Sequence, residues 1–298
     1  DVMRNQDFGV APSLRIGIGT TDDFTLSALL LHNHDMPDYG VPPLNGRPSP
    51  VSSSNFYGLT DDRTVQDVAS VTARFRHRFD PNLALRNQTQ YSHYTIDARE
   101  TGPNRVGTAV GNAFTSLPTA SVGNTTDAAA DQLVALLGSH DGHITGSSLY
   151  SQTDVVAQFD TGPVRHAAIV GLELGHDSYA NQSYSRVDPT ITGGVAGLAL
   201  VSLVDPAYLP APATAVRTTG NYASSTANTV GIYANDTMAL APQWKVVAGV
   251  RQDWFNASIR NTINPPPSAS QNIDFTSVRG GVLFQPTATL AQENGFPM

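Results

Sequence analysis

Hydrophobic and polar positions along this chain alternate with a period of two, in segments joined by connections of two very different lengths. Short polar joints occur at Thr21-Asp22-Asp23, Asp80-Pro81-Asn82, Asp160-Thr161-Gly162-Pro163, Ala241-Pro242-Gln243 and around Gln285-Pro286-Thr287. Long Gly/Pro/Asn-rich connections run over 35–65, 98–148, 185–227 and 260–274. A period of two places alternate side chains on opposite faces of a β-strand. Tight turns at one end and long loops at the other are the signature of a barrel with two chemically different sides, which a soluble sandwich has no reason to show. The pattern predicts an all-β protein, an antiparallel transmembrane β-barrel segment of about nine strands with short periplasmic turns and long extracellular loops.

Parity assigns the faces. In 69–79, Ala69, Val71, Ala73, Phe75 and Phe79 share one face, interrupted by His77, while Ser70, Thr72, Arg74, Arg76 and Arg78 share the other. An arginine in lipid at the bilayer midplane costs about 2–4 kcal/mol, so the arginine face is the lumen. In 14–18, Leu14, Ile16 and Ile18 point outward. In 164–174, Val164, Ala168, Val170, Leu172 and Leu174 point outward and Arg165, Gly171 and Glu173 inward. In 228–240, Val230, Ile232, Ala234, Met238 and Leu240 point outward, broken once by Asp236. In 244–254, Trp244, Val246, Ala248 and Val250 face lipid and Lys245, Gly249, Arg251 and Asp253 the lumen, with Trp244 placed for an aromatic girdle.

Composition narrows the alternatives. With 298 residues and 40% hydrophobic content, the chain holds no run of about 18 apolar residues, which excludes a transmembrane helix. Mean hydropathy is −0.18. The longest apolar stretch, Val195 to Val204, reads as a hydrophobic patch within a loop. There are no cysteines, so a disulfide framework and a thiolate metal site are both out of reach. A net charge of −8, with Lys245 the only lysine, argues against nucleic acid.

Catalytic chemistry finds no pattern: the sequence lacks a Gly-x-Ser-x-Gly elbow and a His-Glu-x-x-His helix, and Thr192-Gly193-Gly194 is not followed by a phosphate-loop lysine. Among the histidines, His32, His34 and Asp35 form one tight cluster and His140, Asp141 and His143 another. Neither offers an evident further ligand, and both read as polar rim or loop residues, with no metal expected. Thr126 to Gly138 predicts a short amphipathic helix capped by Thr126 and stopped by Gly138.

Several segments, in order and spacing, resemble the middle of TonB-dependent siderophore receptors of the catecholate type. They are Ala11-Pro12-Ser13-Leu14 into Ile18-Gly19-Thr20, Phe24-Thr25-Leu26-Ser27, Met36-Pro37-Asp38-Tyr39-Gly40-Val41-Pro42 and Asn55-Phe56-Tyr57-Gly58-Leu59. Further along come Leu85 to Ser92, Val230 to Thr237, Gln243-Trp244-Lys245, Gly249 to Asp253 and Val278 to Pro286. The resemblance implies a 22-stranded plugged barrel in the outer membrane of a Gram-negative bacterium. Such a receptor imports a ferric siderophore with energy from the TonB complex, relayed through the plug. It implies no cofactor, since iron enters only within the ferric siderophore, and no enzyme activity. The partners expected are the siderophore, outer-membrane lipid and TonB.

The chain begins at Asp1 without an initiator methionine or signal segment, and Leu290 to Met298 lose the alternation and lack a terminal aromatic. The expectation is that 1–298 form a partial barrel domain without plug, an incomplete open curved sheet. A passive porin-like barrel and a truncated β fragment without function are the alternatives. Ferric catecholates are flat and anionic and suit aromatic faces and guanidinium groups. That chemistry selects Tyr39, Tyr57 and Arg63 in the first long loop, Tyr91, Tyr94 and Tyr150 around the second, and Tyr179, Tyr184 and Arg186 at the third. Arg74, Arg76, Arg78, Arg165, Glu173 and Arg251 are expected to line the lumen, the first three near the periplasmic end.

Overall fold

The alternating segments pair into one antiparallel sheet. A computed structural model describes residues 2–120, 123–124, 126–262 and 268–286. Its large sheet has ten strands: β1 (Asn5–Val10), β2 (Ser13–Ile16), β3 (Asp22–Asp35), β4 (Arg63–Asp80), β5 (Leu83–Arg99), β6 (Asp141–Thr161), β7 (Val164–Val187), β8 (Val216–Ala241), β9 (Trp244–Asn261) and β10 (Ala269–Phe284). From β3 onward each strand neighbours the next in sequence. β1 and β2 lie along the same edge of β3 in one unbroken register, Val10 opposite Leu30 and Ser13 opposite Ser27. They are one span interrupted at Ala11-Pro12, where proline has no N–H to give the ladder. Nine spans result. Among the described residues nothing pairs β1 or β2 with β10, so the sheet is open.

The register bears out the two faces: Arg74 and Gln88 share one, Phe75 and Asn87 the other, and so on across all spans. The tight turns lie between β4 and β5, β6 and β7, and β8 and β9, with Gly162 in the left-handed region at φ 62°. One joint is displaced from its expected place. The β2–β3 turn occupies 17–21 rather than 21–23, because Gly17 and Gly19 supply the positive φ values that Thr21 and Asp22 would resist, and Ile18 is therefore in the turn. Of the turn predicted at Gln285-Pro286-Thr287, Thr287 falls outside the described residues, as do the last residues Leu290 to Met298 and part of the 260–274 connection.

Several strands are longer than the alternation indicated. β7 reaches Val187 and β8 starts at Val216, so much of the expected 185–227 loop is strand. Above the lipid band both faces of a strand meet water or protein, and the apolar alternation has no reason to persist.

The long loops hold the conventional hydrophobic core. Loop residues 36–62, 100–140 and 188–215 bring together Leu44, Tyr57, Leu59, Val106, Leu133, Leu137, Leu198 and Leu203, all buried. The apolar run at 195–204 is part of it, as a hydrophobic patch within a loop. The helix expected over 126–138 is absent: a single 3-10 turn at Ala130–Gln132 leads into a strand, Val134–Ser139. That strand pairs on one side with Thr101–Val110 and on the other with Ala199–Ser202. Ala135, Leu136 and Leu137 are buried in succession, the mark of a strand covered on both faces rather than of a one-sided helix. The first loop turns at Asn45-Gly46, both at positive φ, and the Asn45 side chain exchanges hydrogen bonds with the backbone of Thr126.

Tyr57 is 2% exposed and its hydroxyl donates to the Leu203 carbonyl at 2.5 Å, tying the first loop to the third. Tyr57→Phe is expected to lower the stability of this cap by about 1 kcal/mol. Faster amide exchange confined to the loops would register it; exchange unchanged in the loops would contradict it.

Candidate functional site

Register decides which of the selected aromatic residues face the lumen. Tyr94, Gly146 and Tyr179 lie in one inward row across β5, β6 and β7, and Tyr150 stands opposite Gly175 in the same inward set. The rings of Tyr94, Tyr150 and Tyr233 each lie over a cross-strand glycine. A Cβ on Gly146 would sit 2.4 Å from Tyr94, one on Gly175 2.4 Å from Tyr150, and one on Gly171 2.2 Å from Tyr233. Missing side chains thus let the rings lie flat on the wall. The Tyr150 hydroxyl donates to Asp177 at 2.5 Å and the Tyr233 hydroxyl to Asp154, with Gln152 Nε2 donating to Tyr233 at 2.8 Å. Tyr233 was not among the residues selected. Its signal was the glycine at inward parity on the neighbouring strand, readable only once the register is known.

The remaining selected residues lie elsewhere. Tyr91 stands opposite Val71 and Leu149 on the outward face, so it meets lipid and not ligand. Tyr184 lies under Arg217, whose guanidinium carbon is 3.6 Å from the ring centroid. Arg63 is exposed at the start of β4 beside Arg99. Tyr57 belongs to the loop core, and Arg186, 3% exposed, is buried in an ion cluster. Neither is presented to a ligand. A tyrosine or arginine in a long loop reads from sequence as available, and only the packing of three loops against one another shows that these two are not.

Arg186 is the clasp of the cap. Its Nε and Nη2 donate to the two Asp141 oxygens at 2.7 and 2.9 Å, and Nη2 also reaches Thr101 Oγ1 at 3.1 Å and the Glu100 carbonyl at 3.2 Å. Asp62 lies 3.4 Å away and accepts from Thr101 and from the Leu59 backbone. Burial pushes the Asp62 carboxyl up, outweighing these hydrogen bonds and the Arg186 charge. Burial works against the Arg186 charge too, yet Asp141 and Asp62 hold it firmly protonated. Beside it, burial opposes ionisation of Asp61, but Arg99 and the Ala211 N–H hold that carboxyl below its ordinary range.

Tyr39, 47% exposed, stacks on His140 with ring centroids 4.7 Å apart and donates to Glu100 at 2.5 Å. Burial, and then the Glu100 carboxylate, push its hydroxyl well above the usual tyrosine range. It stays a neutral hydrogen-bond donor to Glu100.

Lower on the inward wall, Arg15, Arg74, Arg76 and Arg86 surround a recess of about 420 Å³ with Asp23 and Asp154. Arg15 pairs with Asp23, Arg74 donates to Gln88 at 2.7 Å, and Arg78 reaches the Thr20 carbonyl at 2.9 Å. Arg76 and Arg86 stand directly opposite each other with no ion pair among the described residues. A charge-paired wall holds better on the other half. There Arg251 bridges Glu173 at 3.1 Å and Asp253 at 2.7 Å, and Arg165 lies 3.7 Å from Asp160.

The two histidine clusters do not converge on a metal position. His32 bonds Asp67 at 2.7 Å and His143 bonds Asp97 at 2.6 Å, while His140 stacks on Tyr39 and Asp141 holds Arg186.

The family model for TonB dependent receptor-like, beta-barrel proteins matches residues 13–292. The catecholate siderophore receptor Fiu of Escherichia coli K12 is 26% identical over 276 residues, covering 86% of this chain and 32% of Fiu. The probable TonB-dependent receptor BfrD of Bordetella pertussis is 29% identical over 271 residues, 85% of this chain and 33% of that protein. This chain thus spans about a third of the length of these relatives. The crystal structure of the siderophore receptor PiuA from Acinetobacter baumannii superimposes with a TM-score of 0.77 at 21% identity, over 95% of this chain and 40% of PiuA. Its fold, an open antiparallel piece of such a barrel, agrees with that likeness. The chain belongs to the TonB-dependent receptor-like β-barrel family and resides in the outer membrane of a Gram-negative bacterium.

Proposed function

We propose that this chain forms part of the barrel of a receptor that takes up a ferric siderophore of the catecholate class, driven by the TonB complex acting through a plug in the lumen. The inward tyrosine wall carries the reading. Tyr94, Tyr179 and Tyr150 present ring faces and edges just below the loop cap, the route a ligand arriving from outside would follow. Flat anionic catecholates stack on such faces. The relatives named as catecholate and siderophore receptors support the same class. The unpaired Arg76 and Arg86 would face a lumen-filling domain, whose acidic groups would supply their missing partners. Binding followed by passage is the chemistry proposed for this wall.

Tyr94→Ala and Tyr179→Ala, each made in the whole receptor, are expected to weaken ferric-catecholate binding about 3- to 10-fold, the value of one stacking contact. Fluorescence quenching titration on purified receptor measures it. Unchanged affinity in both, with the fold intact, would contradict the tyrosine wall as the ligand's path.

A further inference from the structure

Seven histidines lie in the large sheet, and five of them bond across strands through Nδ1 on the outward face. On β4 and β8 the polar breaks in the outward faces belong to these pairs. His77, which interrupts β4, bonds Asp22 at 2.7 Å, and Asp236, which interrupts β8, bonds His166 at 2.6 Å. Higher on the same face His32 bonds Asp67 at 2.7 Å and His176 bonds Asn228 at 2.8 Å.

The spacing of these pairs is regular. On β3 the step from Asp22 to His32 is ten residues, on β4 from Asp67 to His77 ten, and on β7 from His166 to His176 ten. Between them the outward positions are apolar on β3 (Phe24, Leu26, Ala28, Leu30), β4 (Ala69, Val71, Ala73, Phe75) and β7 (Ala168, Val170, Leu172, Leu174), while on β5 and β6 Asn87, Thr89, Ser151 and Thr153 meet their hydrogen bonds among themselves. Ten residues span about 34 Å along a strand, and a tilt of about 40° projects this to about 26 Å along the membrane normal. An outer-membrane barrel carries an apolar band about 25 Å tall.

The two belts also keep level around the wall. The hydrogen-bonded row through His32 and Asp67 passes Thr95 and Thr145 to Ala180 on β7, and His176 is four residues below it. The row through Asp22 and His77 passes Leu85 and Val155 to Val170, and His166 is again four residues below. Both belts therefore shift by the same amount over the same strands, about one residue per strand. That is the stagger that strand tilt imposes on a level line, as in an eight-stranded barrel of shear eight. His93, outward on β5 opposite Ala69 and Ser147, falls two residues below the His32 row and so continues the upper belt.

We propose that four of these cross-strand pairs, all but His143–Asp97, which lies on the loop side of the upper row, form two girdles at lipid-headgroup depth, one in each leaflet, which fix how the barrel sits in the outer membrane. Within each pair Nδ1 is held by the neighbouring carboxylate or amide, which leaves the Nε2 edge of His32, His77 and His176 for the phosphates and water of the headgroup layer. His166 turns its Nε2 to Thr161 at 2.6 Å and stacks on Phe159, closing the lower girdle beside the turn. Polar pairs at this depth stop the apolar faces from sliding further in either direction. The reading is independent of which ligand the receptor carries.

The sequence contains no cysteine, so single cysteines can be introduced into the full receptor without a background from this chain. Spin labels at His93→Cys and His176→Cys, and at Leu26→Cys and Leu172→Cys, report depth in phosphatidylcholine vesicles by power saturation with oxygen and a nickel chelate. The expected result places the first two at headgroup depth and the second two inside the hydrocarbon. Labels at His176 and His93 lying deep in hydrocarbon, or free in bulk water, would overturn the girdles. Should His176→Cys fail to fold, Asn228→Cys reads the same level from the neighbouring strand. Uptake of ferric catecholate can fail while these depths hold, so the girdles and the proposed function are tested separately.

Discussion

Arg186→Leu is expected to unfasten the loop cap while leaving the sheet beneath it paired. The substitution leaves Asp62 and Asp141 buried without their cation, and breaking a buried ion pair from one side costs about 3–5 kcal/mol. Three connections end on this guanidinium: the first long loop through Asp62, the second through Glu100 and Thr101, and the start of β6 through Asp141. Limited proteolysis should then cut within 36–62, 100–140 and 188–215 long before it reaches the strands. The double variant Arg186→Leu with Asp141→Leu should recover a good part of the loss, because a shape-matched apolar pair has no stranded charge. A single variant as protease-resistant as the parent would show that the cluster does not hold the cap.

Leu172→Arg is expected to block folding into a bilayer, and Thr237→Arg to be tolerated. Leu172 points outward near the middle of the apolar stretch of β7, where an arginine costs about 2–4 kcal/mol. Thr237 lies on the inward face opposite Ala167, where a guanidinium stays in a watery lumen. Folding yield into phosphatidylcholine vesicles, read as the heat-sensitive compact band on an unboiled gel, separates the two. Equal yields for both would mean that the faces have been assigned the wrong way round.

Much of this fold was legible in the sequence because lipid imposes a simple rule on every second residue. Strand identity, the inward arginines and the outward Trp244, which packs on Phe284 with ring centroids 4.5 Å apart, all follow from parity. What parity could not supply was anything above the bilayer. There β8 continues through polar residues on both faces, and 134–139 is a doubly buried strand rather than a one-sided helix, because three loops far apart in sequence close over it. The same closure buries Tyr57 and Arg186, which from sequence look like ligand residues.

The candidate site was legible in part. Tyr94, Tyr150 and Tyr179 are selected by residue type and position, but the glycines beneath Tyr94 and Tyr150, and Tyr233 over its own, need the cross-strand register. His77 and Asp236 looked like flaws in their strands for the same reason: each is explained by a partner 55 or 70 residues away.

The most direct test of the account is uptake of radiolabelled ferric catecholate by an outer-membrane host lacking its own catecholate receptors and carrying the complete gene for this protein. Saturable uptake that stops when a protonophore collapses the inner-membrane potential, or when TonB is deleted, is the result expected. Uptake that rises linearly with concentration and ignores both treatments would contradict it, and would mark the barrel as a passive pore.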